Sequence, residues 1–148
     1  VETRSARQVE ILRDFGASVI VGFADYIKKL AEVAREQGLD PARDFRVRMI
    51  SGHLGRESRA QMSELWGGAQ VYDWYGVGDT GPIAAEGPDQ AGLYLMEDAQ
   101  YVEILDVDSG AAVADGQAGD LVVTTLFKDD SYPLIRFNTH DLTLIETD

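Results

Sequence analysis

The spacing of apolar residues changes near Gly81-Pro82, and this change constrains the fold more than any other feature of the chain. Before it, segments with helical spacing alternate with short strand-like runs; after it, only strand patterns separated by turn signals follow. Strands separated by helices indicate a parallel sheet, whereas short strands joined by tight turns indicate antiparallel pairing. The sequence therefore predicts an α/β portion over residues 1–82 and a mainly antiparallel β portion over residues 83–148, forming a sheet or a partial barrel.

Glycines mark the ends of three predicted helices. The first carries the apolar stripe Val9, Leu12 and Phe15 and ends at Gly16; the second is capped by Asp25 and ends at Gly38; the third spans 57–66. Strands are predicted over 18–21, 45–51 and 70–75 in the first portion, and over 93–96, 101–106, 120–126, 134–137 and 142–146 in the second.

Composition excludes several classes of function. The 148 residues are 45% hydrophobic and 26% charged, as in a globular protein, and no apolar run approaches the roughly 18 residues of a membrane span. A net charge of −13 argues against a nucleic-acid surface. The absence of cysteine argues against disulfides and thiolate metal sites, and we expect a cytoplasmic protein. Because the chain opens without Met and stops after a strand pattern, we also expect it to be part of a longer protein.

A glycine-rich segment follows the third predicted strand. Gly76, Gly78 and Gly81 match the dinucleotide-binding pattern G-x-G-x-x-G. That pattern requires a helix directly after the third glycine, and Pro82 followed by a short, broken segment disfavours one. What remains is a glycine-rich loop at the carboxyl end of a parallel strand, where open α/β sheets bind ligands, or a simple turn.

The same segment resembles a motif of the acyl-adenylate-forming (ANL) superfamily. Residues 75–79, Tyr-Gly-Val-Gly-Asp, correspond to Tyr-Gly-x-Thr/Ser-Glu. The resemblance implies that Tyr75 lies against adenine, with Gly76 and Gly78 beside the nucleotide, and that Asp79 is the catalytic residue that holds the ATP-bound Mg²⁺. In the superfamily the hydroxyl residue of this motif contacts phosphate. Gly78 lacks that hydroxyl, which Thr80 could supply, and Asp79 is one methylene shorter than the usual glutamate.

A second segment strengthens this resemblance. Residues 119–126 and 133–142 are similar to the Gly-Glu-Leu-x-x-Thr and Arg-Tyr-x-Thr-Gly-Asp run of the superfamily, with His140 in place of its glycine. Asp141 would then accept hydrogen bonds from both ribose hydroxyls, unless it only caps a turn. Arg136 could contact phosphate, brace Asp141 or pair with a neighbouring acid.

The order of motifs over residues 17–146 resembles that of phenylacetate–CoA ligases and coenzyme F390 synthetases. Gly52 and His53 fall in a turn that lines the adenine and acid pockets of that group. Asp73 and Trp74 are also assigned to the nucleotide site, although strand alternation puts Tyr72 and Trp74 on one face and Asp73 and Tyr75 on the other. A transition-metal site built on the two histidines, His53 and His140, is disfavoured.

The resemblance implies an ATP-dependent acid–CoA ligase. Such an enzyme adenylates a carboxylic acid with MgATP, releases pyrophosphate, and transfers the acyl group to CoA with release of AMP; the resemblance favours an aryl or arylacetic acid. Expected partners are this acid and the nucleotide, without nucleic acid or membrane, and a homodimer is possible. The phosphate loop and the C-terminal lid domain of the superfamily are not found in these residues, so we expect the chain alone to be inactive. Two alternatives stay open: a degenerate adenylate-binding or interaction module, and an adenylyl transfer enzyme of the F390 synthetase type.

Overall fold

A computed structural model describes residues 3–55, 58–128 and 132–147. These residues form three helices and nine strands. The helices are α1 (Ser5–Asp14), α2 (Ala24–Glu36) and α3 (Arg59–Leu65). The strands are β1 (Val19–Phe23), β2 (Met49–His53), β3 (Gln70–Tyr72), β4 (Trp74–Val77), β5 (Gly81–Glu86), β6 (Leu93–Leu95), β7 (Gln100–Leu105), β8 (Gly119–Thr125) and β9 (Phe137–Thr143).

The first part of the chain forms a parallel sheet with helices. β1, β2 and β3 lie side by side in that order, with Met49 of β2 paired to Val19 and Gln70. The helical spacing of the apolar residues in α2 buries Ile27 and Leu30 against this sheet. Burying each such side chain contributes about 1.5–3 kcal/mol, so this amphipathic face is the main reason α2 forms here.

The second part is antiparallel. β7, β8 and β9 form one sheet, with β8 in the centre, and β4, β5 and β6 form another. Alternate residues of β8, among them Leu121 and Val123, are buried in a core with Ile83 and Ile104. The predicted fold class, a parallel sheet with helices followed by mainly antiparallel β structure, is confirmed. The described strands form open sheets rather than a closed barrel.

Two compact units divide the chain. The first contains residues 1–74 and 85–93, and the second contains residues 75–84 and 94–148. The chain thus passes between the units more than once, and β5 runs through residue 82, where the sequence analysis placed a boundary. No helix in the described ranges is long and apolar enough to cross a bilayer.

Several predicted elements differ in their bounds. Asp25 is not the cap of α2, because the helix begins at Ala24 and the Asp25 carboxylate accepts a hydrogen bond from its neighbour's amide within the first turn. Phe15 does not face the core and is 84% exposed. β2 begins at Met49 rather than at residue 45, because neither neighbouring strand extends far enough to pair with the preceding residues.

The strands near the two motifs also differ from the predicted ones. The strand predicted over 70–75 is interrupted at Asp73, which separates β3 from β4 and removes the expected alternation of faces. β5 was not predicted. The two strands predicted over 134–137 and 142–146 are replaced by β9 alone, which continues through an irregularity described below.

Candidate functional site

In the first unit, Asp73 organises the ends of β2 and β3. Its Oδ1 accepts hydrogen bonds from the amides of Leu54 (3.0 Å) and Trp74 (2.8 Å). His53 Nδ1 donates to the Trp74 carbonyl oxygen at 3.2 Å, and the same nitrogen lies 4.0 Å from Asp73 Oδ1. The Asp73 carboxylate is thereby engaged by the backbone that follows each strand, which fixes the break between β3 and β4.

Three rings surround this point. The Trp74 ring lies 6.4 Å from each of Phe23 and His53, and those two rings contact each other edge to face at 6.1 Å. Gly52, beside His53, is buried, and a Cβ added there would lie 3.3 Å from the Gly22 carbonyl oxygen. Gly52, His53, Asp73 and Trp74 therefore lie close together, in a small aromatic surface at the carboxyl ends of the parallel strands; their role in nucleotide binding stays a prediction.

A bidentate ion pair supports Asp73. Arg59 donates to both carboxylate oxygens of Glu86, at 2.6 and 2.8 Å, and also to the Val71 carbonyl. Glu86 further accepts the Asp73 amide at 2.6 Å. The Arg59 hydrogen bond, aided by the Asp73 amide, lowers the pKa of Glu86 although burial opposes this. Sequence reasoning missed this pair, because its members are 27 residues apart and belong to no local motif.

In the second unit, Tyr75 and Asp141 meet directly. The Tyr75 hydroxyl donates to Asp141 Oδ2 at 2.5 Å, across 66 residues of sequence. Burial, followed by the hydrogen bond to Asp141, raises the pKa of Tyr75 to about 12, so the phenol keeps its proton throughout the neutral range. The two residues that carry the two sequence motifs are therefore in contact.

A bulge in β9 presents Asp141. β9 pairs Asn138 with Val122 and Leu142 with Asp120, so three residues of β9 stand opposite the single residue Leu121. Bulges of this kind redirect side chains and are common beside functional sites. The Asp141 side chain is exposed on this bulge.

Side-chain hydrogen bonds hold the bulge in shape. Asn138 Oδ1 accepts the His140 amide at 2.7 Å, and Thr139 Oγ1 accepts the Asp141 amide at 3.2 Å while donating to the Leu121 carbonyl. His140 has φ +60°, in the left-handed region. This backbone conformation explains why the related motif has glycine at this position.

Replacement of His140 by glycine should stabilise the chain. A non-glycine residue in the left-handed region costs roughly 1–2 kcal/mol, partly offset by the greater freedom of glycine in the unfolded state. Because the His140 side chain is exposed, we expect a net gain of about 0.5–1 kcal/mol, measured by urea unfolding. His140→Ala, which keeps the strained backbone, is the control and should give no gain; equal effects of both variants would contradict this explanation.

The turn from β4 to β5 contains the remaining motif residues. A Cβ on Gly76 would lie 2.5 Å from the Gly81 carbonyl oxygen, whereas one on Gly78 would have nothing within 4 Å. Asp79 is exposed. Thr80 is fully buried, and its hydroxyl donates to the Gly81 carbonyl, so the predicted contact between Thr80 and phosphate requires this turn to open.

We expect Gly76→Ala to destabilise the chain by about 2 kcal/mol. The added methyl would collide with backbone atoms of Gly81 and Pro82, which cannot move aside without separating β4 from β5. Gly78→Ala, in the same turn but facing open space, should change the unfolding free energy by less than about 0.5 kcal/mol. Similar losses in both variants would show that the close approach at Gly76 is not the cause.

Arg136 pairs with an acid of the second unit. Its Nε donates to Glu103 Oε2 at 3.0 Å, which is the ion-pair alternative considered from the sequence. A role for Arg136 at phosphate stays a prediction.

Metal ligands are sparse. Within the described ranges, no group of three or more histidine, aspartate or glutamate side chains could hold a metal ion. Asp79 is a single exposed carboxylate, which suits Mg²⁺ when phosphate and water provide most of its ligands.

Comparison with known proteins supports the resemblance. No family model matches the chain. A phenylacetate–coenzyme A ligase of Pseudomonas putida is 34% identical over 147 residues, which cover 95% of this chain and 33% of that protein. Another, from Escherichia coli, is 30% identical over 95% of this chain and 33% of its own length. The chain thus spans about a third of the length of these relatives.

Solved structures agree with the sequence relatives. A 2-hydroxyisobutyryl-CoA ligase in the postadenylation state, in complex with an acyl-AMP, superposes with a TM-score of 0.82 at 31% identity over 97% of this chain and 31% of its own. A long-chain-fatty-acid–CoA ligase from Archaeoglobus fulgidus has a TM-score of 0.63 at 10% identity over 97% of this chain and 35% of its own, which shows the fold alone. The chain belongs to the acyl-adenylate-forming (ANL) superfamily. Within it, the sequence is similar to part of the phenylacetate–coenzyme A ligases.

Proposed function

We propose that the chain supplies the adenine, ribose and metal contacts of an AMP-forming acid–CoA ligase. The observation that carries this proposal is the contact between Tyr75 and Asp141 in the second unit. Tyr75 offers a flat aromatic surface for adenine, and the exposed Asp141 carboxylate offers two acceptor oxygens for the ribose hydroxyls.

In this proposal Asp79 holds Mg²⁺ together with the phosphates of ATP. The ion would neutralise charge on the phosphates and orient the α-phosphorus for attack by the substrate carboxylate. The chain contributes binding and orientation, since attack by the substrate carboxylate requires no nucleophilic side chain. The CoA thiol would then attack the carbonyl carbon of the acyl-adenylate; the thioester C–S bond forms as the bond from that carbon to the AMP oxygen breaks, and AMP is released.

We further propose an aryl or arylacetic acid as the substrate, supported by the similarity to phenylacetate–coenzyme A ligases. The aromatic surface of Phe23, His53 and Trp74 in the first unit is compatible with such a ring. The phosphate loop and lid domain are proposed to lie in other parts of the protein, which would act in the cytoplasm, where ATP and CoA are available. A homodimer is testable by sedimentation.

The test is carboxylate-dependent exchange of pyrophosphate into ATP by the intact protein that contains this chain. We expect exchange with phenylacetate, a benzoate or indoleacetate, and its loss in Asp79→Ala. Exchange that persists in Asp79→Ala would reject the metal assignment.

A degenerate adenylate-binding module is the second candidate. It is favoured by Gly78, which lacks a hydroxyl, and by the burial of Thr80. Binding of ATP without exchange for any acid would support it over the ligase. An adenylyl transferase of the F390 synthetase type would form a covalent adenylylated product instead of an acyl-CoA, which mass spectrometry of the products distinguishes.

A further inference from the structure

A lysine outside both sequence motifs reaches the turn between β4 and β5. Lys128 Nζ donates to the Asp79 carbonyl oxygen at 2.5 Å, across 49 residues of sequence. The side chain is half-buried and belongs to the loop after β8, three residues beyond the end of that strand, within the second unit. The lysine ammonium therefore lies directly at the turn that contains Gly78 and Asp79.

The Lys128 ammonium is one of few positive charges in a unit rich in acidic side chains. The second unit has 13 acidic side chains and only two basic ones, Lys128 and Arg136. Arg136 is paired with Glu103, whereas Lys128 has no carboxylate partner in the part of the chain that the structure describes. A lysine ammonium has three donors, and the Asp79 carbonyl uses one, so two remain for an anion.

The turn has space for an anion but few other groups to bind one. No atom lies within 4 Å of a Cβ built on Gly78, and the Thr80 hydroxyl is buried and engaged with Gly81. A polyphosphate at this turn would also face the acidic surface of the unit. A nearby cation is the simplest way to offset that repulsion.

We propose that Lys128 binds phosphate oxygens of ATP at this turn and replaces the contact that a hydroxyl at position 78 would make. This inference rests on the proposed nucleotide site. A lysine that only ties the loop after β8 to the turn would affect the fold of the turn, but it would not distinguish phosphorylated from unphosphorylated ligands.

The test compares ATP with adenosine in the intact protein that contains the chain. Affinities are measured by calorimetry for ATP and by competition for adenosine, in wild type, Lys128→Gln and Lys128→Arg. We expect Lys128→Gln to weaken ATP binding about tenfold or more, as for loss of a charged hydrogen bond, and to leave adenosine within about twofold. Lys128→Arg, which keeps the charge, should recover most of the ATP affinity.

Lys29→Gln is the matched control, because it removes one positive charge from the exposed face of α2 and should leave both affinities unchanged. Equal weakening of ATP and adenosine by Lys128→Gln, or ATP affinity unchanged in that variant, would overturn the proposal while the nucleotide site stands. Failure of the wild type to bind either ligand would overturn the nucleotide site and this inference together.

Discussion

Replacement of Asp141 by alanine is expected to lower kcat/KM for ATP in pyrophosphate exchange by about 100-fold or more in the intact protein. The proposed carboxylate accepts two charge-assisted hydrogen bonds from the ribose, each contributing about 1.5–3 kcal/mol. The side chain is exposed on the β9 bulge, and the hydrogen bonds of Asn138 and Thr139 hold that bulge without it. The loss should therefore concern nucleotide binding rather than folding.

Two further variants separate the possible causes. Asp141→Asn keeps the shape and one acceptor oxygen but loses the charge, and should fall between wild type and alanine. Tyr75→Phe removes only the hydroxyl that contacts Asp141 and keeps the ring, so it should lower kcat/KM less than Asp141→Ala. Equal losses in Tyr75→Phe and Asp141→Ala would mean that the contact itself, rather than a bond to ribose, is what matters.

The second large effect concerns stability. Replacement of Glu86 by alanine should lower the free energy of unfolding by about 2–3 kcal/mol. The variant leaves Arg59, whose side chain is 32% exposed, without its bidentate partner, and the Asp73 amide without an acceptor. The partial exposure of Arg59 keeps the loss below that of a fully buried pair. Urea unfolding of wild type and variant at pH 7 measures the difference.

The Arg59–Glu86 pair also makes the free energy of unfolding depend on pH. Because the pKa of Glu86 is lowered in the folded chain, mainly by Arg59, its contribution to stability is fully present above the ordinary glutamate pKa of 4.5. It is lost as the pH falls through the lowered value, where the folded carboxylate takes up its proton. The difference in stability between wild type and Glu86→Gln should therefore be large at pH 7 and shrink in acid.

Glu103→Gln provides the matched control for this experiment. It breaks the Glu103–Arg136 pair, in which the arginine side chain is 58% exposed, and should cost no more than about 1 kcal/mol. A comparable loss in both variants would show that the bidentate geometry and burial at Glu86 add nothing.

The local spacing of apolar residues in the sequence was sufficient to predict the fold class. The spacing of Ile27 and Leu30 placed α2, and the change of period after residue 82 indicated the antiparallel sheet. The break at Asp73 was not predicted, because it depends on amides contributed by residues 54 and 74 and on the distant carboxylate of Glu86. Such long-range hydrogen bonds leave no periodic trace in the sequence.

The sequence predicted only some of the residues of the candidate site. Family motifs pointed to Tyr75 and Asp141, and the structure brings these two residues into contact. Neither motif indicated Lys128, which is a single charged residue in a loop and meets Asp79 only after folding. The burial of Thr80 was equally hidden, because a hydroxyl in a glycine-rich turn is expected to face solvent.

The bulge in β9 has a consequence for insertions and deletions. It adds two residues relative to β8, an even number, so the segments before and after it keep the same alternation of faces, and Ile145 beyond β9 packs against the core that contains Leu121 and Val123. Removing both extra residues would keep this alternation of faces, and its main effect would be that Asp141 is no longer exposed on a bulge. Removing a single one would instead rotate every following side chain to the opposite face and expose Ile145.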